Sequence, residues 1–289
     1  MLHLYLQYAS KIIKRLEKKQ INLKTLTGVT SIKKMEIKGK TILITGGTAG
    51  IGLEAAKQFL ANGAKVIITG RDQSKLDKAK ELYPALVAIK SDVANAGDAQ
   101  LLFNQMKELG GIDILYNNAG VLSISTNMGM ANGKHSKEAE HEMNVNYFGV
   151  IRLNNLFMEM LKSRQETAII NTTSILSYVP SAVEATYSAS KVALRFYTET
   201  LRKHLEILKS NVKVFELLPP VVATDMTAGR NDKKISPEKV VKTLIASLRK
   251  NQFTIRVGDT RLLYIVNRLF PKMAFGLVNS RENTKQLLA

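Results

Sequence analysis

A tyrosine and a lysine four residues apart are the first candidates for chemistry in this sequence. Tyr187 and Lys191 stand in the run YSASK, and residues at positions i and i+4 share one face of a helix. A lysine ammonium beside a phenol favours the phenolate, so the pair could serve as a general acid or base. With nine tyrosines and 30 lysines in the chain, one such pair is expected by chance. The context adds weight, because Ser174 lies 13 positions upstream at the end of an apolar run.

A glycine-rich turn indicates a dinucleotide site. The run TGGTAGIG follows the first apolar run and precedes an amphipathic stretch. Glycines let the backbone approach a ligand, and a helix N-terminus offers free N–H groups and a positive dipole to a pyrophosphate. The spacing Gly-x3-Gly-x-Gly differs from the commonest dinucleotide fingerprint, and a turn with a structural role only is the alternative. The candidate cofactor contacts are Gly46, Thr48, Gly50, Ile51 and Gly52.

The end of the second apolar run decides which dinucleotide is expected. An acid about 20 residues after the glycines would bind the ribose 2′-hydroxyl of NAD, whereas an arginine accommodates the 2′-phosphate of NADP. Gly70 takes the place of the acid, and Arg71 follows it. The sequence therefore predicts NADP, with NAD less favoured. The alternatives are that Asp72 acts as the acid, or that Arg71 is only a solvated loop residue.

An alternation of strands and helices would bring these candidates together. Short and mostly continuous apolar runs alternate with amphipathic stretches, as in parallel sheets covered on both faces. A helix is predicted from Ser236, because a hydroxyl at the N-cap precedes a proline and an acid. The expected fold is α/β, a doubly wound Rossmann-type parallel sheet of about seven strands with helices on both faces. The predicted strands are Thr41–Thr45, Lys65–Thr69, Leu86–Ile89, Asp113–Tyr116, Ala168–Thr172, Val212–Leu217 and Phe253–Val257.

Taken together, residues 39 to about 227 resemble the short-chain dehydrogenase/reductase family. The further motifs that carry the resemblance are Asp92, NNAG at 117–120, Asn146 in MNVNYFG and Ser174 in IINTTS, in the family's order and spacing. The C-terminal stretch FTIRVGDTRLLYIVNRLFPKMAF resembles a bacterial branch labelled as associated with teichoic-acid D-alanylation. The resemblance implies an oxidoreductase with a nicotinamide cofactor.

The resemblance also implies a role for each site residue. Tyr187 would be the general acid in reduction and the base in oxidation, while Lys191 would bind the nicotinamide ribose and favour the phenolate. Ser174 would polarise the substrate oxygen, and Asn146 would hold a water that links Lys191 to solvent. The implied cofactor contacts outside the glycine turn are Asp92, Asn118, Gly120, Tyr187, Lys191, Val222 and Thr224.

The sequence departs from the family pattern at two places. Pro220 stands where the family usually has glycine, which reduces backbone freedom beside the nicotinamide. Residues 122–142 form a longer polar insert than a minimal member needs. An ordinary surface loop is expected there, and a lid over the substrate is the alternative.

Composition and charge exclude several other classes of protein. The chain of 289 residues has no cysteine, which excludes thiolate zinc sites and cysteine nucleophiles, and its four histidines are scattered, so no metal is predicted. Of the net charge of +18, residues 1–34 carry +7 and residues 230–289 carry +9. The nearly neutral middle argues against a nucleic-acid-binding protein. A cytoplasmic location is expected.

The chain is expected to divide into an N-terminal extension, residues 1–34, and one oxidoreductase domain, residues 35–289. The extension is either a segment without fixed packing that precedes an alternative start at Met35, or an amphipathic helix on a surface. Near the other end, an apolar stripe favours core packing or a subunit contact, with a membrane surface or hydrophobic substrate as alternatives. The stripe comprises Leu262, Val266, Leu269, Phe270 and Met273.

Three hypotheses follow for function. The first is an NADP(H)-dependent oxidoreductase that acts on a small carbonyl or alcohol as a homo-dimer or homo-tetramer. The second is a regulatory or scaffolding protein that senses nicotinamide state, which the complete set of acid–base residues disfavours. The third is a reductase of lipid-like substrates whose basic ends contact an anionic membrane.

Overall fold

Seven parallel strands form the centre of the computed structural model, which describes residues 34–124, 128, 133–229 and 233–287. Every strand begins and ends within one residue of its predicted bounds, so the predicted set is confirmed. The strands are β1 (Thr41–Thr45), β2 (Lys65–Gly70), β3 (Val87–Lys90), β4 (Ile114–Asn117), β5 (Thr167–Thr172), β6 (Val212–Leu218) and β7 (Thr254–Arg256).

The helices lie between and after these strands. They are α1 (Gly50–Ala61), α2 (Gln73–Leu82), α3 (Ala96–Glu108), α4 (Gly133–Met143), α5 (Gly149–Lys162), α6 (Ala185–Ile207), α7 (Pro237–Arg249), α8 (Thr260–Leu269), α9 (Pro271–Val278) and α10 (Arg281–Thr284). A π-helical turn, Asn144–Phe148, joins α4 to α5, and short 3₁₀ turns span Ile175–Ser177, Asp225–Thr227 and Lys285–Leu287. Helix α7 begins as predicted, because the Ser236 hydroxyl accepts a hydrogen bond from the Lys239 N–H at 3.2 Å.

The order of the strands creates a crevice at the centre of the sheet. The order is β3-β2-β1-β4-β5-β6-β7, and every neighbouring pair is parallel. The chain moves outward in one direction from β1 and in the other from β4, so the carboxyl ends of these two strands flank the point where sheets of this type bind ligands. The predicted doubly wound α/β fold is confirmed.

Both faces of the sheet are buried. Along β1, Ile42 and Ile44 belong to a cluster on one face, and Leu43 belongs to a second cluster on the other. Successive strand residues point to opposite faces, so a strand covered on both sides must be apolar at every position. This is why the strands appear in the sequence as continuous apolar runs.

Part of the polar insert is helical rather than the ordinary loop that the sequence predicted, because residues 133–142 of it belong to α4. Residues 125–127 and 129–132 of the insert lie outside the described residues. Glu142 in α4 is completely buried, and its carboxylate accepts a hydrogen bond from the Ser123 N–H at 2.6 Å. Lys134 and Glu138 form an ion pair at 3.7 Å on the same helix. Polar contacts rather than an apolar stripe hold α4, so hydrophobic periodicity did not reveal it.

The structure describes residues 233–287 near the C-terminus but only the last residue of the predicted N-terminal extension. Residues 35–289 form one compact unit, whereas residues 1–33 of the predicted extension lie outside the described residues. In the C-terminal stripe, Val266 and Met273 pack against Val179, but Leu269 and Phe270 are exposed. Core packing therefore explains only part of that stripe. No helix in the described ranges has the length and apolar character to cross a membrane.

Candidate active site

The turn between β1 and α1 leaves a helix end open to a ligand. Gly46 and Gly50 have φ values of 63° and 53°, which side chains rarely adopt, and a Cβ at Gly52 would collide with the Gly46 carbonyl oxygen. Ala49 stands at the N-cap of α1 and provides no side-chain hydrogen bond. The first N–H groups of α1 are therefore uncapped beside a cradle that any Cβ would fill, which suits the pyrophosphate of a dinucleotide.

The NNAG segment at the end of β4 is hydrogen-bonded to the start of this turn. The Asn118 amide donates to the carbonyl oxygens of Thr45 at 3.2 Å and Gly46 at 3.1 Å. In return, the Thr45 hydroxyl accepts from the backbone N–H groups of Asn118 at 3.1 Å and Ala119 at 3.0 Å. Asn118 thus fixes the wall of the crevice rather than projecting freely into it.

A buried network of amides lies directly beneath this wall. The Asn117 amide donates to the side-chain oxygens of Asn154 in α5 and Asn171 in β5, both at 2.9 Å. The Asn171 amide in turn donates to the Thr198 hydroxyl in α6 at 2.9 Å. The sequence analysis identified the NNAG motif but missed Asn154 and Asn171, which bind its first asparagine. A polar residue inside the apolar run AIINT was the available signal for Asn171.

Arg71 lies at the carboxyl end of β2, beside Asp92 at the end of β3. The Arg71 Nη1 and Asp92 Oδ2 atoms are 3.9 Å apart, and Arg71 is exposed. Gly70 contacts Thr48 of the glycine turn, since a Cβ at Gly70 would lie 2.8 Å from the Thr48 Cγ2 atom. Arg71 and Asp92 thus place one positive and one negative charge beside the Gly70–Thr48 contact.

The Asp72 carboxylate is engaged at the N-terminus of α2 in this structure. It caps α2, where it accepts hydrogen bonds from the Ser74 hydroxyl at 2.9 Å and the Lys75 N–H at 3.3 Å. These hydrogen bonds lower the pKa of Asp72. Asp72 is thus engaged at the start of α2, whereas Arg71 is paired with Asp92.

Ser174, Tyr187 and Lys191 line the same cleft as the glycine turn. The Lys191 ammonium donates to the Thr172 carbonyl oxygen at the end of β5, at 3.0 Å, and lies 5.6 Å from the centroid of the Tyr187 ring. The Ser174 hydroxyl oxygen accepts from the Leu176 N–H at 3.1 Å, so its hydrogen can be donated to another group. The helical spacing and the strand end together produce this arrangement.

Lys191 is a buried cation. Burial lowers the pKa of Lys191 to about 8, and the negative charge of Glu142 acts in the opposite direction. Burial also raises the pKa of the Glu142 carboxyl. The Glu142 carboxylate thus favours the charged form of Lys191 in an environment that disfavours charge.

Asn146 stands behind the wall of the cleft, in the π-helical turn. Its Oδ1 atom accepts from the Val121 N–H at 2.9 Å, and its amide donates to the Val121 carbonyl at 2.9 Å and the Ser190 hydroxyl at 3.0 Å. Gly120 separates it from Lys191, because a Cβ at Gly120 would lie 3.2 Å from Asn146 Oδ1 and 3.4 Å from Lys191 Nζ. The π-helical turn was not predicted, and no sequence signal identifies it.

The structure brings most of the predicted residues together. Five of them do not line the cleft. These are Thr48 and Gly52 of the glycine turn, Arg71 and Asp92 after β2 and β3, and Asn146 behind Gly120. The predicted residues that do line it are Gly46, Gly50, Ile51, Asn118, Gly120, Ser174, Tyr187, Lys191, Val222 and Thr224.

Several residues of the site were missed in the sequence. The cleft has an apolar wall that motifs did not reveal, formed by Leu122, Ile175, Leu176, Val221 and Met226, and Pro220 also lines it. Beneath the wall, the Thr173 hydroxyl next to Ser174 donates to Glu216 Oε1 at 2.9 Å, and burial raises the pKa of Glu216 to about 7. An acid within the apolar run VKVFELL was the signal for Glu216.

The strand order, the uncapped α1 and the glycine cradle define a dinucleotide-binding protein of the Rossmann type. The chain belongs to the short-chain dehydrogenase/reductase family, because the family model described as short chain dehydrogenase matches residues 40–235. This confirms the family that the motifs indicated.

Relatives and solved structures agree with this assignment. The chain is 33% identical over 257 residues to the Bacillus subtilis (strain 168) protein named "Uncharacterized oxidoreductase DltE", covering 86% of this chain and 100% of the relative. A Burkholderia cenocepacia J2315 short chain dehydrogenase in complex with NADP is 28% identical, with a TM-score of 0.70, covering 88% of this chain and 100% of that one. A 3-ketoacyl-(acyl-carrier-protein) reductase from Brucella melitensis, complexed with NADH, is 26% identical with a TM-score of 0.67, covering 75% and 93%. These similarities support a nicotinamide cofactor and favour neither the sensing nor the lipid-directed alternative.

Proposed function

We propose that this protein is an NADP(H)-dependent oxidoreductase that interconverts a carbonyl and an alcohol. The observation that carries the proposal is that Ser174, Tyr187 and Lys191 line one cleft with the glycine turn and the uncapped end of α1. When bound, the nicotinamide supplies or accepts the hydride. The protein must then hold the substrate oxygen and supply or remove a proton.

The proton is exchanged at the phenol of Tyr187. In reduction the phenol donates its proton to the carbonyl oxygen, and the positive charge of Lys191 stabilises the phenolate that remains. The Ser174 hydroxyl donates a hydrogen bond to the same oxygen. In oxidation the phenolate removes the alcohol proton.

The hydrogen bonds that Asn146 already makes limit how its side chain can take part in proton exchange. Both N–H groups of its amide are already donated, to Val121 and Ser190. A water that links Lys191 to solvent would therefore accept nothing from this amide and would instead donate to the remaining lone pair of Oδ1. We propose that Asn146 holds that water and that its hydrogen bonds to Val121 and Ser190 anchor the π-helical turn.

The direct test is a panel of aldehydes, ketones and alcohols assayed with NADPH or NADP and with NADH or NAD. The apolar wall around Ile175, Leu176 and Val221 supports substrates with an apolar body next to the reacting carbon. Reduced-nicotinamide absorbance should change with at least one of them and faster with the phosphorylated cofactor. Tight binding of cofactor without turnover of any compound would favour the sensing alternative.

NADP preference is expected to depend on Arg71. The variant Arg71→Ala should weaken NADPH binding about tenfold or more, since a charge-assisted hydrogen bond to the 2′-phosphate is lost, and should leave NADH binding almost unchanged. Titration calorimetry measures both affinities. Lys65→Ala is the matched control, because Lys65 is an exposed cation at the opposite end of β2. Equal affinity of the unmodified protein for NADPH and NADH would contradict the assignment.

We propose a homo-dimer or homo-tetramer, supported by the exposed aromatic rings of Phe148 before α5 and Phe196 on α6. Light scattering in solution measures this. The cytoplasmic location predicted from the sequence stays a prediction.

A further inference from the structure

Helices α8 and α9 present an unusual amount of apolar surface to solvent. Of the 16 large apolar side chains that are exposed among the described residues, five fall within the 16 positions from Leu262 to Leu277. Leu269, Phe275 and Leu277 are each about half exposed, at 50%, 51% and 48%. We refer to these exposed residues as the C-terminal apolar surface, which comprises Leu262, Leu269, Phe270, Phe275 and Leu277. Such a concentration marks an interaction site rather than ordinary surface scatter.

Exposed basic side chains accompany this surface. On α8, Leu262 and Leu269 are seven residues apart on one side of the helix, and Arg261 and Arg268 precede each of them. The exposed cations between residues 258 and 287 are Arg261, Arg268, Lys272, Arg281 and Lys285, against two exposed acids, Asp259 and Glu282. Apolar residues beside lysine and arginine on one helix are typical of helices that lie in the interface of an anionic membrane.

The C-terminal apolar surface belongs to elements that pack against the segment between Ser174 and Tyr187. Asn267 in α8 donates to the Tyr178 carbonyl oxygen at 3.1 Å. Asn279, which follows α9, donates to the Pro180 carbonyl at 2.9 Å and accepts from the Ala182 N–H at 2.6 Å. Residues 178–182 lie in the chain between Ser174 and Tyr187. Helices α8 and α9 are therefore attached to the segment that joins two residues of the cleft, Ser174 and Tyr187.

We propose that the C-terminal apolar surface docks on a lipid bilayer that contains anionic lipid. The other two candidate occupants are a second copy of this chain and its own N-terminal extension, and the positive charge of the surface disfavours both. A two-fold contact of the surface with a second copy would bring the same excess of cations together, and the N-terminal extension is itself basic, with eight lysines and arginines and one acid in residues 1–34. An anionic bilayer complements the cations and accepts the apolar side chains. This inference does not rest on the proposed catalytic function.

The test is co-sedimentation of the full chain with vesicles of phosphatidylcholine alone or mixed with phosphatidylglycerol. Binding is expected to require phosphatidylglycerol and to weaken with added salt. The double variant Arg268→Gln/Lys272→Gln should lower the partition coefficient about tenfold or more, because each basic residue near the surface contributes about five-fold. The double variant Leu269→Ser/Phe275→Ser should lower it by about the same factor.

Matched variants separate this surface from general charge and apolarity. Leu82→Ser/Leu101→Ser removes leucines that are 66% and 63% exposed on other helices, and Lys80→Gln/Lys107→Gln removes exposed lysines there. Both should bind like the unmodified protein, and every variant should bind NADP unchanged, which shows that it is folded. The proposal is overturned if protein stays in the supernatant with both kinds of vesicle. It is also overturned if only Lys14→Gln/Arg15→Gln in the N-terminal extension abolishes binding, or if light scattering shows that Leu269→Ser/Phe275→Ser dissociates an oligomer.

Discussion

Replacing Tyr187 with phenylalanine is expected to lower kcat by about 10²–10⁴-fold while cofactor affinity stays nearly unchanged. The variant removes only the phenol oxygen, so the ring and the Lys191 ammonium 5.6 Å from its centroid are retained. Initial rates by reduced-nicotinamide absorbance and cofactor titration measure the two effects separately. A loss confined to kcat identifies a group that acts on the reacting atoms.

The control for this variant is Tyr83→Phe, at the end of α2, because Tyr83 does not line the cleft. Its activity should match that of the unmodified protein. If Tyr187→Phe retained full activity on an established substrate, Tyr187 would not be the proton donor, and the proposed chemistry would have to be assigned to another group.

Replacing Lys191 with methionine is expected to remove activity and at the same time to stabilise the protein without ligand. Burial lowers the pKa of Lys191 from 10.5 to about 8, so between these values the unfolded chain binds a proton that the native chain does not. Stability from this group therefore rises with pH between about 8 and 10.5, and its full cost is present below about 8. At neutral pH that cost is on the order of 3 kcal/mol. The loss of the hydrogen bond to the Thr172 carbonyl offsets part of it, so a net gain of about 1–2 kcal/mol is expected.

Urea unfolding at several pH values tests this expectation. The difference in free energy of unfolding between Lys191→Met and the unmodified protein should be largest at neutral pH and shrink as the pH is raised from 8 toward 10.5. Lys203→Met serves as the control, because Lys203 lies on the same helix but is exposed, and its effect on stability and activity should be small. A variant that is less stable than the unmodified protein at every pH would show that Lys191 is a net stabilising residue.

Residues that face a sheet or a turn could be predicted from the sequence, because their types follow from local geometry. The continuous apolar runs placed all seven strands, and Gly46, Gly50 and Gly52 stand where the backbone requires them. Positions determined by long-range polar contacts could not be predicted. Glu142 depends on the backbone of Ser123, and Asn154 depends on the Asn117 amide, so no local pattern indicates them. The walls of the cleft come from separate loops, and their apolar character became visible only once the strands were assembled.

The buried amide network of Asn117, Asn154, Asn171 and Thr198 has a consequence for how this sequence can diverge. Each member satisfies a donor or acceptor of another, and none of the four is accessible to water. A single change to an apolar residue would leave a buried polar group without its partner, whereas a coordinated change of the whole set would not. These four positions are therefore expected to vary together among descendants of this chain or not at all. Two of them lie on α5 and α6, so this covariation would be inherited together with the placement of the helix that carries Tyr187 and Lys191.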